Sequence, residues 1–181
     1  GLSPDQIARG LESLDGVPGR LRRVDLGQPF TVLVDYAHTP DSLEKTLRLV
    51  RSLVSGPVIA VFGSAGERDR AKRPLQGAVS ARLADFSIFT SEDPRFEDAE
   101  AIIAEIAAGA ADAGAVAGRD YVQIEDRRQA IRVALRRAEP GGAVVLAGKG
   151  HEQCIIYGAE RRPWDEATEA TRALEEMGYR S

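Results

Sequence analysis

Apolar residues along this chain fall into short continuous runs, and the stretches between those runs repeat apolar positions at helical spacing. The runs Phe30 to Tyr36, Pro57 to Phe62, Phe86 to Thr90, Tyr121 to Ile124 and Ala143 to Ala147 are β-rich and bounded by breakers, which predicts strands. Between them, Leu43, Leu47, Val50 and Val54, then Leu75 to Leu83, then Ile102, Ile103 and Ile106, then Ile131 and Leu135 predict helices. A strand that is apolar at every position is covered on both faces. Strand alternating with helix then gives an α/β, Rossmann-like fold, a mostly parallel sheet of about six strands with helices on both sides. The sixth strand is Gln153 to Tyr157, antiparallel at an edge. At the ends, Ser3 caps a short helix with Pro4 in its first turn, and Glu166 to Met177 forms a closing helix stopped by Gly178. The Ala/Gly-rich stretch Ala107 to Gly118 resembles a linker but reads as a helix end plus loop, and no internal repeat is visible.

Composition narrows the class. At 181 residues, 43% hydrophobic and 29% charged, the chain suits one globular domain with a full core. A net charge of -4 gives no global attraction to nucleic acid or anionic membranes. No apolar run approaches the roughly 20 residues of a membrane helix, and no signal-peptide pattern opens the chain, which points to a cytoplasmic setting. Cys154 is alone, so no internal disulfide or cysteine metal pair can form, and it reads as a small buried residue. The chain begins at Gly1 and its only methionine is Met177, the pattern expected of a fragment or processed product.

Candidate chemistry sits at strand ends, where open α/β sheets place their ligand crevice. The clusters are Asp35-Tyr36-Ala37-His38-Thr39-Pro40-Asp41, Gly63 to Asp69, Ser91-Glu92-Asp93-Pro94-Arg95 and Gly148-Lys149-Gly150-His151-Glu152. Thr39 and Pro40 are a helix start, whereas Asp35 and His38 have no such duty and can bind a nucleotide or orient a metal-bound water. Alternatively they are ordinary turn residues. Gly63 and Gly66 permit close backbone approach, and a helix starting near Asp69 would aim its positive end at an anion. The spacing fits neither a Walker loop nor a complete dinucleotide fingerprint. Arg68 can clasp a carboxylate, while Arg70, Lys72 and Arg73 read as a solvated helix face. Glu92, Asp93 and Arg95 around Pro94 suit a zwitterion, or equally an acidic helix N-terminus, a reading that Glu97 and Asp98 also fit. Lys149 lies in a glycine-rich turn of solvated charges, and Glu152 is the choice for binding an amino group.

These four motifs, with Lys72-Arg73-Pro74, resemble the Mur ligases over about Gly16 to the end, in family order, and most resemble the branch that adds a third amino acid. The resemblance implies that residues 1–181 form the C-terminal, amino-acid-binding domain, with N-terminal UDP-binding and central ATP-binding domains lying outside this chain. It implies an ATP-dependent ligase, with ATP and Mg2+ as cofactors, that joins an amino acid to UDP-N-acetylmuramoyl-dipeptide in peptidoglycan synthesis through an acyl phosphate. By motif, Arg20, Asp35 and His38 would contact ATP, and Arg68, Glu92, Asp93, Arg95, Gly148 and Glu152 would line the amino-acid pocket. Glu92 departs from the family's usual Asp by one methylene. Arg95 matches the form associated with meso-diaminopimelate, with lysine and ornithine left open. No catalytic or metal-ligating residue is expected on this chain, and alone it is expected to be inactive. A free-standing amino-acid or nucleotide-binding module, or a folylpolyglutamate or cyanophycin-type ligase domain, are the competing readings.

Overall fold

The computed structural model of the chain describes residues 19–180, so the helix expected at Ser3 and Pro4 lies outside the described residues. All five predicted core strands form: β2 (Thr31–Asp35), β3 (Val58–Phe62), β4 (Phe86–Phe89), β5 (Tyr121–Gln123) and β6 (Ala143–Ala147). They pair in parallel in the order β2-β6-β3-β4-β5. A short strand β1 (Arg22–Val24) closes the sheet antiparallel to β2. Arg22 and Arg23 are exposed on that edge strand, so no apolar run marked it.

The helices are α1 (Pro40–Leu53), α2 (Lys72–Leu83), α3 (Ala99–Asp112), α4 (Arg127–Arg137) and α5 (Glu166–Glu176). They explain why the strands read as continuously apolar. Val32, Val34, Ile59 and Val61 face α4 and α5, packing with Ile131, Leu135 and Leu174. Their neighbours Leu33, Val58, Ala60 and Phe62 face α1 to α3, packing with Leu43, Leu47 and Ile106. Each strand thus keeps a period of two, hidden because both faces are buried.

Three expectations are corrected. Gln153 to Tyr157 does not extend the main sheet: β7 (Cys154–Tyr157) pairs with β8 (Glu160–Pro163) in a separate antiparallel hairpin, turning at Gly158 with φ +57°. Ile155 and Trp164 root the hairpin in the core, and Cys154 is only half-buried. Second, α2 begins at Lys72 rather than near Asp69, whose Oδ1 instead accepts the Ala71 N–H in the preceding turn at 2.9 Å. Third, Arg73 is not solvated. Its side chain is 0% exposed and donates to Glu97 and Glu105 at 2.9 Å each, tying α2 to the start and middle of α3.

The apparent linker composition also has a structural cause. A Cβ on Gly77 would lie 1.9 Å from the Ile106 carbonyl oxygen, and one on Gly109 would lie 2.0 Å from that of Pro74. Helices α2 and α3 therefore cross backbone against backbone, and small residues at 107 to 110 are what permit it. Gly77→Ala or Gly109→Ala must force the helices apart and should cost about 3 kcal/mol in urea denaturation. Gly114→Ala, with no atom in the way but φ +95°, should cost only about 1–2 kcal/mol.

Candidate functional site

Strands β2, β6, β3 and β4 run parallel, so their C-terminal ends share one edge, and their following loops enclose a cavity of about 460 Å³. Six of the sequence-predicted residues lie on its wall: His38, Arg68, Glu92, Asp93, Arg95 and Glu152. The wall also includes Tyr36 and Asp69, which the sequence did not single out, and Lys72, which was read as part of a solvated helix face but donates to the His38 carbonyl at 2.9 Å.

The remaining candidates sit just off the wall. Gly148, at φ +103°, backs the cavity: a Cβ there would stand 2.6 Å from Glu92 Oε2. The glycine makes room for a longer carboxylate. Arg20 is exposed, with its guanidinium 5.2 Å from the centre of the Tyr36 ring. Asp35 is buried, and its oxygens accept from Leu21 N–H at 2.9 Å, Ala37 N–H at 2.9 Å and the Thr46 hydroxyl at 3.1 Å. Its carboxylate thus braces the turn after Arg20 and the turn leading to His38.

His38 is fixed in that turn. Its Nδ1 lies 2.8 Å from the Tyr36 carbonyl, and its own carbonyl accepts from Lys72 Nζ at 2.9 Å and Gln76 Nε2 at 3.3 Å. Helix α1 starts directly after it with a capping box between Thr39 and Ser42. The Tyr36 ring makes tilted contacts with those of His38 and His151, at centroid distances of 4.6 and 5.1 Å, and its hydroxyl lies 3.4 Å from Glu152 Oε1. Burial first, then the negative Glu152, raise the phenol pKa above its usual value, so Tyr36 stays a neutral donor.

Beside these residues the loop after β4 is tightly held. Glu92 is buried with Oε2 lacking a hydrogen-bond partner. Burial raises its pKa, and the positive charges of Lys72, Arg127 and Lys149 oppose that rise. Asp93 Oδ1 accepts from Lys149 Nζ at 2.8 Å. Lys149 was read as a solvated turn charge; it is fully buried and also pairs with Glu152 at 2.7 Å. Between two glycines after an apolar strand, its only signal was the bend those glycines allow. Arg95 stands at φ +55° with Nε buried and unpartnered. The acidic helix start belongs to Asp98, which caps α3, whereas Glu97 turns away to Arg73.

A second buried cation lies beneath these loops. Arg127 donates to the Ser91 carbonyl at 3.1 Å and the Ala147 carbonyl at 2.8 Å, and pairs with Glu166 at 2.7 Å. No charge pattern in the arginine-rich segment 127–137 distinguished Arg127 from its neighbours. Among the described residues, no cluster of three or more potential ligands could hold a metal ion, and no helix is long and apolar enough to cross a membrane.

Residues 19–150 match the family model described as Mur ligase, glutamate ligase domain. The chain belongs to the Mur ligase family. It is 59% identical over 179 residues, 99% of this chain and 35% of the relative, to a UDP-N-acetylmuramyl-tripeptide synthetase of Roseiflexus sp. (strain RS-1). It is 46% identical over 188 residues to the UDP-N-acetylmuramoyl-L-alanyl-D-glutamate--2,6-diaminopimelate ligase of Geobacter metallireducens, covering 98% of this chain and 37% of that one. A solved structure of a ligase of that latter name superposes with a TM-score of 0.80 at 35% identity, covering 98% of this chain and 36% of the other. A Yersinia pestis folylpolyglutamate synthase/dihydrofolate synthase complexed with AMPPNP and Mn ion superposes at 0.62 with 17% identity over 98% of this chain and 35% of the other, which shows the shared fold alone. This Mur ligase chain therefore spans about a third of the length of its curated relatives.

Below the cavity, Glu97 provides a measurable electrostatic signature. Hydrogen bonds from Arg73 and from the Glu67 N–H lower its pKa from 4.5 to about 2. A lowered carboxylate pKa adds stability that is complete above the unfolded value and is lost as pH falls from 4.5 through about 2. Asp120, also lowered to about 2 by Arg119, contributes in the same acid range. Denaturation midpoints measured between pH 6 and pH 2 should fall less steeply in Glu97→Gln than in the wild type, with part of the slope retained through Asp120.

Proposed function

We propose that this chain is the amino-acid-binding domain of an ATP-dependent ligase that adds meso-diaminopimelate to UDP-N-acetylmuramoyl-dipeptide in peptidoglycan synthesis. One observation carries the reading: a single cavity of about 460 Å³ presents guanidinium groups of Arg68 and Arg95 together with carboxylates of Glu92, Asp93 and Glu152. That is the complement of a small molecule bearing both ammonium and carboxylate groups. The names of the Roseiflexus and Geobacter relatives support the same class of substrate.

Within this reading, Asp93, Glu152 and the unpaired oxygen of Glu92 receive ammonium groups, and the guanidinium groups receive carboxylates. A planar fork such as Arg95 holds a carboxylate through two donors, so it favours an amino acid with a distal carboxylate over lysine or ornithine. The incoming amine displaces phosphate from the dipeptide acyl phosphate: a C–N bond forms, the C–O bond to phosphate breaks and the amine loses a proton. Pre-orienting that amine is this chain's contribution.

ATP with Mg2+, when bound, supplies the activation of the dipeptide carboxylate. The residues at the mouth of the cavity fit one side of a nucleotide site: Arg20 is exposed and His38 is held by its turn. Asp35 serves them from below, by bracing both turns. Binding of the UDP sugar and formation of the acyl phosphate fall to the rest of the ligase, so this chain alone should bind without ligating. It acts in the cytoplasm in this reading.

Calorimetric titration of the chain with meso-diaminopimelate, lysine and ornithine tests the assignment. The wild type should prefer diaminopimelate, and Arg95→Ala should weaken that ligand by about 10- to 100-fold while leaving lysine nearly unchanged. Equal affinity for diaminopimelate in both proteins would remove Arg95 from the site.

A further inference from the structure

The loop after β4 and the loop after β6 supply neighbouring parts of the cavity wall, and one buried ammonium joins them from behind. Lys149 Nζ, its side chain 0% exposed, lies 2.8 Å from Asp93 Oδ1 and 2.7 Å from Glu152 Oε2. Both partners line the cavity; Lys149 itself does not. Asp93 Oδ1 also accepts the Ile156 N–H at 3.0 Å, so the same oxygen is tied to the β7–β8 hairpin. That hairpin grips Arg95 from both sides: the Arg95 N–H donates to the Ile156 carbonyl at 2.9 Å, and the Gly158 N–H donates to the Arg95 carbonyl at 2.6 Å. Arg95 occupies the left-handed region, which costs a non-glycine residue about 1–2 kcal/mol, so its placement depends on those two bonds.

The local chain is shaped to bury this lysine. Gly148 and Gly150 flank it at φ +103° and +51°, and a Cβ on Gly150 would fall 2.7 Å from Tyr36 Cβ. A well-packed apolar side chain would fill the same space without the desolvation cost of a buried ammonium. Stability therefore gives a weak reason for a lysine here, and geometry gives a stronger one. One cation between two carboxylates fixes both and leaves that triad with one excess negative charge. That excess is what an arriving ammonium group requires.

We propose that Lys149 is the positioning residue of the amino-acid site: its buried ammonium holds Asp93 and Glu152 in register side by side on the cavity wall and, through Asp93 and the hairpin, sets Arg95. The inference rests on reading the cavity as an amino-acid site. It goes beyond that reading by assigning binding geometry to a residue that makes no ligand contact.

The test uses this chain, with meso-diaminopimelate titrated calorimetrically and backbone amides followed by hydrogen exchange. Lys149→Met should keep a cooperative thermal transition, weaken diaminopimelate about ten-fold or more, and lower the exchange protection of the Ile156 N–H. Lys149→Gln, which keeps a donor but no charge, should fall between. Asp85→Asn provides a control for lost stability alone: Asp85 Oδ2 accepts the Val58 N–H at 2.7 Å near the start of β3, away from the cavity, and its loss should leave affinity unchanged. Wild-type affinity and Ile156 protection in a folded Lys149→Met would overturn the inference and leave the amino-acid site standing. Failure of both lysine variants to fold would assign Lys149 to the fold alone and overturn it as well. Absence of any response to diaminopimelate, lysine or ornithine in the wild type would overturn the reading of the cavity, and the inference with it.

Discussion

The guanidinium of Arg127, buried between two strand-end loops, is the contact on which the arrangement of this Mur ligase domain depends. It binds the carbonyls of Ser91 and Ala147, the residues immediately before Glu92 and Gly148, and so fixes the separation of the two loops. Glu166, the first residue of α5, neutralises it and in turn accepts from Trp164 Nε1 at 2.5 Å. Through this chain of contacts the last helix, the hairpin's exit and the two strand-end loops become one mechanical unit. Removing either charge alone would leave the other buried and unpaired, a loss of about 3–5 kcal/mol. An apolar replacement for the pair would give up the two carbonyl bonds, and those bonds are what aligns the loops.

Much of the fold was legible because burial on both faces writes itself into composition. Strands β2, β3 and β6 are apolar at nearly every position, and helices α1 and α3 show their spacing directly. What escaped was whatever owes its position to an edge or to backbone contact. Strands β1 and β8 are charged and exposed, so nothing in their side chains distinguishes them from loops. Gly109 resembled linker composition, yet its missing Cβ is the condition for α2 to cross α3. Pattern reveals which faces are covered; it does not reveal how closely two backbones approach.

The site was legible at the level of the loop and less so at the level of the side chain. That clusters after β2, β3, β4 and β6 meet follows from parallel pairing, and the cavity gathers residues from all four loops. Direction was the hidden variable. Asp35, expected at the nucleotide, turns inward to brace two turns. Arg73 and Lys149, read as solvated, turn inward to carboxylates supplied by distant segments. Each inward turn depends on a partner many residues away, which no local window contains.

Burial is the larger influence on Glu92, the carboxylate at the back of the cavity, and raises its pKa, while nearby cations moderate that rise. Burial alone would drive Glu92 toward its neutral form, which attracts an ammonium group poorly. Lys72, Arg127 and Lys149 each oppose that drive, and none of them needs to touch Glu92 to do so, because charges act at longer range in a poorly solvated interior. Arg127 and Lys149, which tie the two loops together, therefore also favour ionisation of the group between them. Geometry and charge are not separable here: moving a buried cation to relax a loop would change the affinity of Glu92 for a proton.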